Sequence, residues 1–245
     1  MAAPPRLHVP LPLHEGLETG LPEGAGRHVQ VLRLQPGAAL TLFDGRGGEW
    51  AARVLQIGRR EVRVRIGAFD EVSRELPAAV TLAVGMPANE RMDVLVEKAC
   101  ELGVAALQPL VCERSVLRLA GERAERKVQH WQAVAVAACE QCGRTRVPVV
   151  APVRSLPDWL AGLAAATAQP RLVLSLRDAG TLPAAGSFGE LTALSGPEGG
   201  LSEAEEEAAR RRGFIPVSLG ARTLRADTAP LALLAHLAIS LEGLA

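Results

Sequence analysis

Between His28 and Phe69 apolar and polar residues alternate in short runs, "ALTLF", "EWAARVLQI" and "EVRVRI". A period of two buries one face of each strand, and Pro36-Gly37, Asp44-Gly45, Gly47-Gly48 and Gly58 supply the turns between them. The pattern predicts a small β-domain. A polar interval, "DEVSRELPA", then marks a domain boundary near residues 72 to 77.

From Val80 onward the pattern changes. "VTLAVG" reads as a strand, and in "RMDVLVEKACELG" the residues Met92, Leu95, Val96, Ala99 and Leu102 share one helical face, with Gly103 as the stop. There follow apolar "VAALQPLV", a long helix from about Glu122 to Cys142, a proline-flanked "VPVV" and a helix around Leu156 to Ala166. The last third repeats the alternation. It has "RLVLSL", "LTALSG", a helix from Glu203 to Arg212 stopped by Gly213, the strand "FIPVSLG" and a final apolar helix from about Pro230. Strands alternating with helices predict an α/β domain around a mostly parallel sheet. Ligands of such sheets sit beyond the carboxyl ends of the strands. Three loops hold that position, "SLRDAG" after Leu174, "SGPEGG" after Leu194 and "GARTLRADTA" after Leu219, and they converge only if their strands are neighbours.

Composition adds bounds. The chain has 245 residues, 48% of them apolar, enough for a sizeable core in one or two domains. The opening "MAAPPRLHVPLPLHEG" has no apolar run of signal-peptide length and "LALLAHLAISL" is too short to span a bilayer, so a cytoplasmic location is expected. Cys100, Cys112, Cys139 and Cys142 lack the spacing of a disulfide framework. Cys139 and Cys142 form a C-x-x-C, but neither a second C-x-x-C nor paired histidines complete a site, and no metal is expected.

The 27 basic and 27 acidic residues cancel, yet five arginines face one acid between Arg53 and Arg65, and eight basic residues face four acids between Val111 and Arg154. Each window is a candidate phosphate footprint, or simply a solvated face. Tyrosine is absent and aromatics make up 3%, which disfavours a nucleic-acid binder built on stacked rings.

"SGPEGGLSEAE" has the glycines and helix start of a phosphate loop, with Ser202 and Glu205 in capping-box spacing. Glu203, Glu205, Glu206 and Glu207 already satisfy the helix dipole, and Glu198 repels a phosphate. A P-loop lysine and a G-x-G-x-x-G are both missing. Such a loop suits a ligand held through backbone groups and carrying little negative charge or a positive centre. S-adenosylmethionine is one possibility, and a plain connecting turn is another.

"LSGPEGGLSEAE" followed by "VSLGARTLRADTA" resembles the two C-terminal signature segments of the SPOUT methyltransferases. "VLRLQPGAALTLFDGRG", "ERMDVLVEKACELGV", "CERSV" and "HWQAVAVAACEQCGRTRVP" extend the resemblance, in order, over nearly the whole chain to the RsmE family of 16S ribosomal RNA (uracil-N3)-methyltransferases. The resemblance implies a PUA-like β-barrel over residues 1 to 73 and a SPOUT domain over residues 74 to 245, its parallel sheet tied in a C-terminal trefoil knot. It further implies S-adenosylmethionine as methyl donor, uridine 1498 of 16S rRNA within the 30S subunit as target, and a homodimer with active sites at the interface.

Carried over by position, the cofactor contacts would come from Leu174, Ser175 and Leu176, from Leu194, Gly196, Gly199 and Gly200, and from Leu219, Gly220, Leu224 and Thr228. Arg225 would stabilise the deprotonated uracil, or else pair with Asp227 or Glu198. Glu198 would order its loop or accept the N3 proton. Arg33, Arg91, Arg114 and Arg144 are the expected RNA contacts. Two departures stand out: Ala226-Asp227-Thr228 replaces the usual Thr-Glu-Thr, and Ala88-Asn89 stands where the family often has lysine and glycine. The competing functions are another SPOUT enzyme, modifying a ribose 2′-hydroxyl, and a non-catalytic RNA-binding or ribosome-assembly factor. Hydrolase chemistry has no G-x-S-x-G to support it.

Overall fold

The computed structural model describes residues 3–242 apart from 60, 89, 165–168 and 185–187. Its chain divides into two compact units, Met1–Glu75 with Cys139–Val147, and Leu76–Ala138 with Pro148–Ala245.

The first unit is built on strands β1 (Arg6–His8), β2 (Glu18–Gly20), β3 (Ala39–Phe43), β4 (Glu49–Ile57) and β5 (Val62–Asp70), with helix α1 (Glu23–Val31). The strands form one sheet in the order β1-β3-β4-β5-β2, antiparallel except where β1 joins β3. The alternation in "VRVRI" places Val62, Val64 and Ile66 inside, where they pack with Leu7, Leu42 and Val54. Helix α1 departs from the sequence expectation of strand-like runs from His28. Its two glycines give it low intrinsic propensity, and burial of Ala25 and Val29 holds it instead. Cys139 is buried here, and its thiol donates to the Arg146 carbonyl at 3.6 Å.

The second unit holds β6 (Ala79–Gly85), α2 (Arg91–Glu101), β7 (Ala106–Val111), most of α3 (Gly121–Cys142), β8 (Val149–Val150), β9 (Arg154–Ser155), α4 (Leu156–Ala161), β10 (Arg171–Leu174), β11 (Glu190–Ser195), α5 (Glu203–Arg211), β12 (Phe214–Val217) and α6 (Thr228–Glu242). Its strands pair in the order β12-β10-β11-β6-β7-β8, with β9 beside β7, and every pairing is parallel. Both faces are buried, as near-continuous apolar strands require. Leu82, Leu172 and Leu191 pack on one face with Leu95 of α2, Trp131 of α3 and Leu233 of α6. Ala83, Val173 and Leu194 pack on the other with Trp159 of α4 and Ala209 of α5. Each fully buried leucine stabilises the fold by about 1.5–3 kcal/mol. Part of the helix expected over Leu156 to Ala166 lies outside the described residues, and α4 itself ends at Ala161, followed by Gly162. Among the described residues no helix is long and apolar enough to cross a membrane.

The topology brings three strand ends together. Val173 of β10 lies opposite Leu194 of β11 on one side and Pro216 of β12 on the other. The loops after these strands therefore leave from one level on one edge of the sheet, which is the condition that the sequence left open.

Candidate active site

The loop after β10 is pinned first. The Ser175 N–H donates to Val217 O at 3.1 Å, and Gly180 exchanges backbone hydrogen bonds with Pro216 O and Ser218 N at 3.0 and 2.9 Å. Arg177 reaches from this loop to Glu203 at 3.0 Å and to Leu201 O at 3.3 Å. The Ser175 hydroxyl donates to Glu206 at 3.2 Å. The first loop is thus clamped to the start of α5.

The Ser195–Gly200 loop turns tightly. The Gly200 N–H donates to Pro197 O at 2.8 Å, with Gly200 at φ +69°, a region that L side chains rarely adopt. A Cβ on Gly196 would sit 2.8 Å from Leu201 N, and one on Gly199 would sit 2.9 Å from the Arg114 Cβ. Both glycines are required by close approach. At the helix start Ser202 and Glu205 form the expected capping box. Glu205 does more than cap. Its Oε1 accepts the Glu113 N–H at 2.8 Å, latching α5 to the "CERSV" segment. Arg114, from that same segment, donates to Gly199 O at 3.1 Å.

Glu198 points away from the loop's own amides. Its Oε1 accepts the Ala88 N–H at 2.8 Å and lies 4.0 Å from Arg91 Nη1 at the start of α2. The neighbouring Asn89 lies outside the described residues. Asp93, in the first turn of α2, is fixed by Trp131 Nε1 at 2.9 Å and His130 Nε2 at 2.8 Å, so α3 holds α2 in place.

The third loop leaves β12 and enters α6. Gly220, at φ +118°, donates to the Ser218 hydroxyl at 3.2 Å, and Arg225 O accepts the N–H groups of Thr228 and Ala229, both at 3.0 Å. Asp227 Oδ1 is buried with no hydrogen-bond partner among the described residues. An acid just before a helix ordinarily accepts an N–H from the second or third helical residue. Here Ala229 N–H is taken by Arg225 O, and Pro230 has none to give.

The three loops enclose a cavity of about 660 Å³. Leu174, Ser175 and Leu176 line it from the first loop, Gly196, Glu198, Gly199 and Gly200 from the second, and Leu219, Leu224 and Arg225 from the third. Arg91 and Arg114 also reach it. Three expected contacts do not line it. Leu194 points into the core, fully buried, while Gly220 and Thr228 lie on the loop and at the helix start without facing the cavity. Arg177, Arg222 and Thr223 line it unforeseen, although "SLRDAG" and "GARTLRADTA" carried them in the expected loops. Arg225 is exposed, and among the described residues it has neither Asp227 nor Glu198 as an ion-pair partner.

The remaining expected RNA contacts belong to the first unit. Arg33 is exposed at φ 52° after α1. Arg144 is buried, its side chain 5% exposed, and paired with Glu75 through Nε at 2.9 Å and through Nη2. That guanidinium knits its own unit together and is withdrawn from a solvent-facing surface. The charge count of the basic window could not separate it from its exposed neighbours.

Comparison with known proteins matches these features. Residues 74–238 match the family of RNA methyltransferase domains, and residues 21–67 match the RNA methyltransferase PUA domain. A ribosomal RNA small subunit methyltransferase E of Synechocystis is 32% identical, with 87% of this chain and 70% of that protein covered. A solved ribosomal RNA small subunit methyltransferase E of Neisseria gonorrhoeae, bound to S-adenosyl methionine, superposes with TM-score 0.90 at 36% identity over 97% of this chain and 98% of its own. A Legionella pneumophila protein solved in complex with the same cofactor gives 0.89 at 33% identity, over 96% and 97% of the two chains. On sequence and on fold, the chain belongs to the ribosomal RNA small subunit methyltransferase E family.

Proposed function

We propose that this chain methylates N3 of uridine 1498 in 16S rRNA, with S-adenosylmethionine as the donor. One observation carries the cofactor assignment: three loops from adjacent parallel strands close a cavity of about 660 Å³ walled by leucines and glycine backbone. The residues fit the group. Leu174, Leu219 and Leu224 offer an apolar bed for an adenine ring, while Gly196 and Gly199 leave backbone groups open to close approach. Glu198 on the wall suits a positive centre and opposes a phosphate.

Bound there, S-adenosylmethionine supplies an electrophilic methyl group on a sulfonium. The chain's own residues must then position uracil N3 in line and favour loss of its proton. The conjugate base carries negative charge on O2 and O4. Arg225, exposed at the cavity rim, is assigned to that charge. Glu198 is assigned to order the wall, because its Oε1 is already engaged by the Ala88 N–H.

The same proposal gives residues 1–73 the role of holding RNA, with Arg33 at its surface, and gives residues 74–245 the knotted SPOUT arrangement. Cytoplasmic 30S subunits are its substrate. A homodimer is part of it. In support, α6 is apolar almost throughout and leaves Ile239 77% exposed. Transfer of label from S-adenosylmethionine to 30S subunits lacking their own methylation at this uridine, compared with naked 16S rRNA, tests the proposal. Transfer to neither substrate, with cofactor binding intact, removes the target assignment. Absence of both binding and transfer favours a non-catalytic RNA binder.

A further inference from the structure

A second cavity, of about 850 Å³, adjoins the first, and the two share Arg91 and Glu198 in their linings. It is polar, with Glu90, Asp93 and Lys127 around it. The shared pair forms a wall between a chamber suited to the methyl donor and one open to another ligand. That wall has a definite hydrogen-bonding sense. Glu198 Oε1 is occupied by the Ala88 N–H, which among the described residues leaves Oε2 as an acceptor. The Arg91 guanidinium stands 4.0 Å from Glu198, beyond a close ion pair, and keeps N–H donors to spare. Several of the other polar groups nearby are engaged, while Glu90 and Lys127 line the second cavity and not the first. Both Asp93 oxygens are taken by His130 and Trp131, Arg114 donates to Gly199 O, and Arg177 is held by Glu203 and Leu201 O.

A donor beside an acceptor is a pattern that nucleobases discriminate. Uracil presents a carbonyl oxygen next to N3–H, complementary to an Arg91 donor next to a Glu198 acceptor. Cytosine presents an amino group next to a bare N3, which sets donor against donor and acceptor against acceptor. An edge that leaves polar groups unpaired is rejected strongly.

We infer that the second cavity receives the target base and that Arg91 and Glu198 read its imide edge, selecting uracil over cytosine. This rests on the proposed function and adds what reads the base. Arg91 donates to one carbonyl oxygen, and Glu198 Oε2 accepts the N3 hydrogen, orienting N3 toward the donor chamber. Arg225, lining the first cavity, is left to the second oxygen.

The test is Glu198→Gln in the full chain. Glutamine keeps an oxygen for the Ala88 N–H and replaces the other oxygen with an N–H donor, so the loop anchor survives while the base-reading sense reverses. Single-turnover methylation of 30S subunits carrying uridine at the target falls on the order of 10- to 100-fold. Calorimetric affinity for S-adenosylmethionine falls by clearly less than transfer does, since only the Glu198 charge is lost while backbone and leucine contacts remain. Inhibition of the wild type by subunits carrying cytidine at the target is weak, and relative to uridine subunits it strengthens in the variant. Arg91→Ala, on the rigid helix, gives the same split, with transfer lost by more than cofactor affinity. Transfer by Glu198→Gln within threefold of wild type overturns the inference and leaves Glu198 as an anchor only. A matching loss of cofactor affinity overturns it as well. Failure of the wild type to bind cofactor or transfer methyl instead removes the function on which it rests.

Discussion

Glu205→Ala removes a contact that the sequence shows only as half of a capping box. In the structure its Oε2 accepts the buried Ser202 N–H at 2.9 Å, and its Oε1 accepts the Glu113 N–H at 2.8 Å. The Ser202 hydroxyl still accepts from N–H of residue 205 after the change, so the helix start itself persists. The Ser202 amide loses its partner in a buried setting, at about 1–3 kcal/mol, and the part-buried Glu113 amide loses a charge-assisted bond, at about 1 kcal/mol. Together these destabilise the second unit by about 2–4 kcal/mol. Glu205→Gln retains one acceptor and costs about half as much. Denaturant unfolding gives the total, and amide hydrogen exchange at Ser202 and Glu113 localises it. Because Arg114 of the latched segment supports Gly199 O, cofactor affinity falls too. Unchanged protection at both amides, with a loss under about 0.5 kcal/mol, would refute the latch.

Other consequences are equally direct. Gly196→Ala places a Cβ 2.8 Å from Leu201 N, forcing the loop backbone to shift; calorimetry then shows cofactor affinity lowered by at least about tenfold with the fold retained. Arg144→Ala takes its guanidinium partner from the part-buried Glu75, which keeps the Arg146 N–H at 3.2 Å, and costs about 3 kcal/mol, read as a lowered unfolding midpoint, whereas an exposed arginine such as Arg33 changes it by less than about 0.5 kcal/mol. Burial, reinforced by the charge of Glu205, pushes the Cys112 thiol up to about 12 from an ordinary value near 9.0. A thiol with a raised folded pKa contributes stability that is complete below its unfolded pKa and is lost as pH rises toward the folded one. Stability therefore declines between about pH 9 and pH 12, and Cys112→Ala flattens that decline in unfolding midpoints measured across the range.

The parallel sheet was legible because its strands and helices keep separate periods, and the capping box because Ser202 and Glu205 sit at fixed spacing. Helix α1 was not, since Gly24 and Gly26 weaken its local signal and its stability comes from Ala25 and Val29 packing on strands far along the chain. The three site loops were visible one by one as strand exits. Their convergence needed the order β12-β10-β11, which no local pattern encodes. Leu194 illustrates the limit at single residues: adjacent to the glycine loop in sequence, it faces the core, as Ala193 does on the opposite face, because helices cover both faces of the sheet. Arg91 and Glu198 belong to separate motifs and meet only in space, and Arg144 carries the same charge as an RNA-facing arginine yet is consumed by Glu75.

Nuclease digestion and mass spectrometry of 16S rRNA, after incubating the chain and S-adenosylmethionine with 30S subunits unmethylated at the target, bears most directly on the central claim. N3-methyluridine at uridine 1498, and at no other position, is the predicted result. A methyl group on a ribose hydroxyl, on another base or nowhere in the RNA would contradict it.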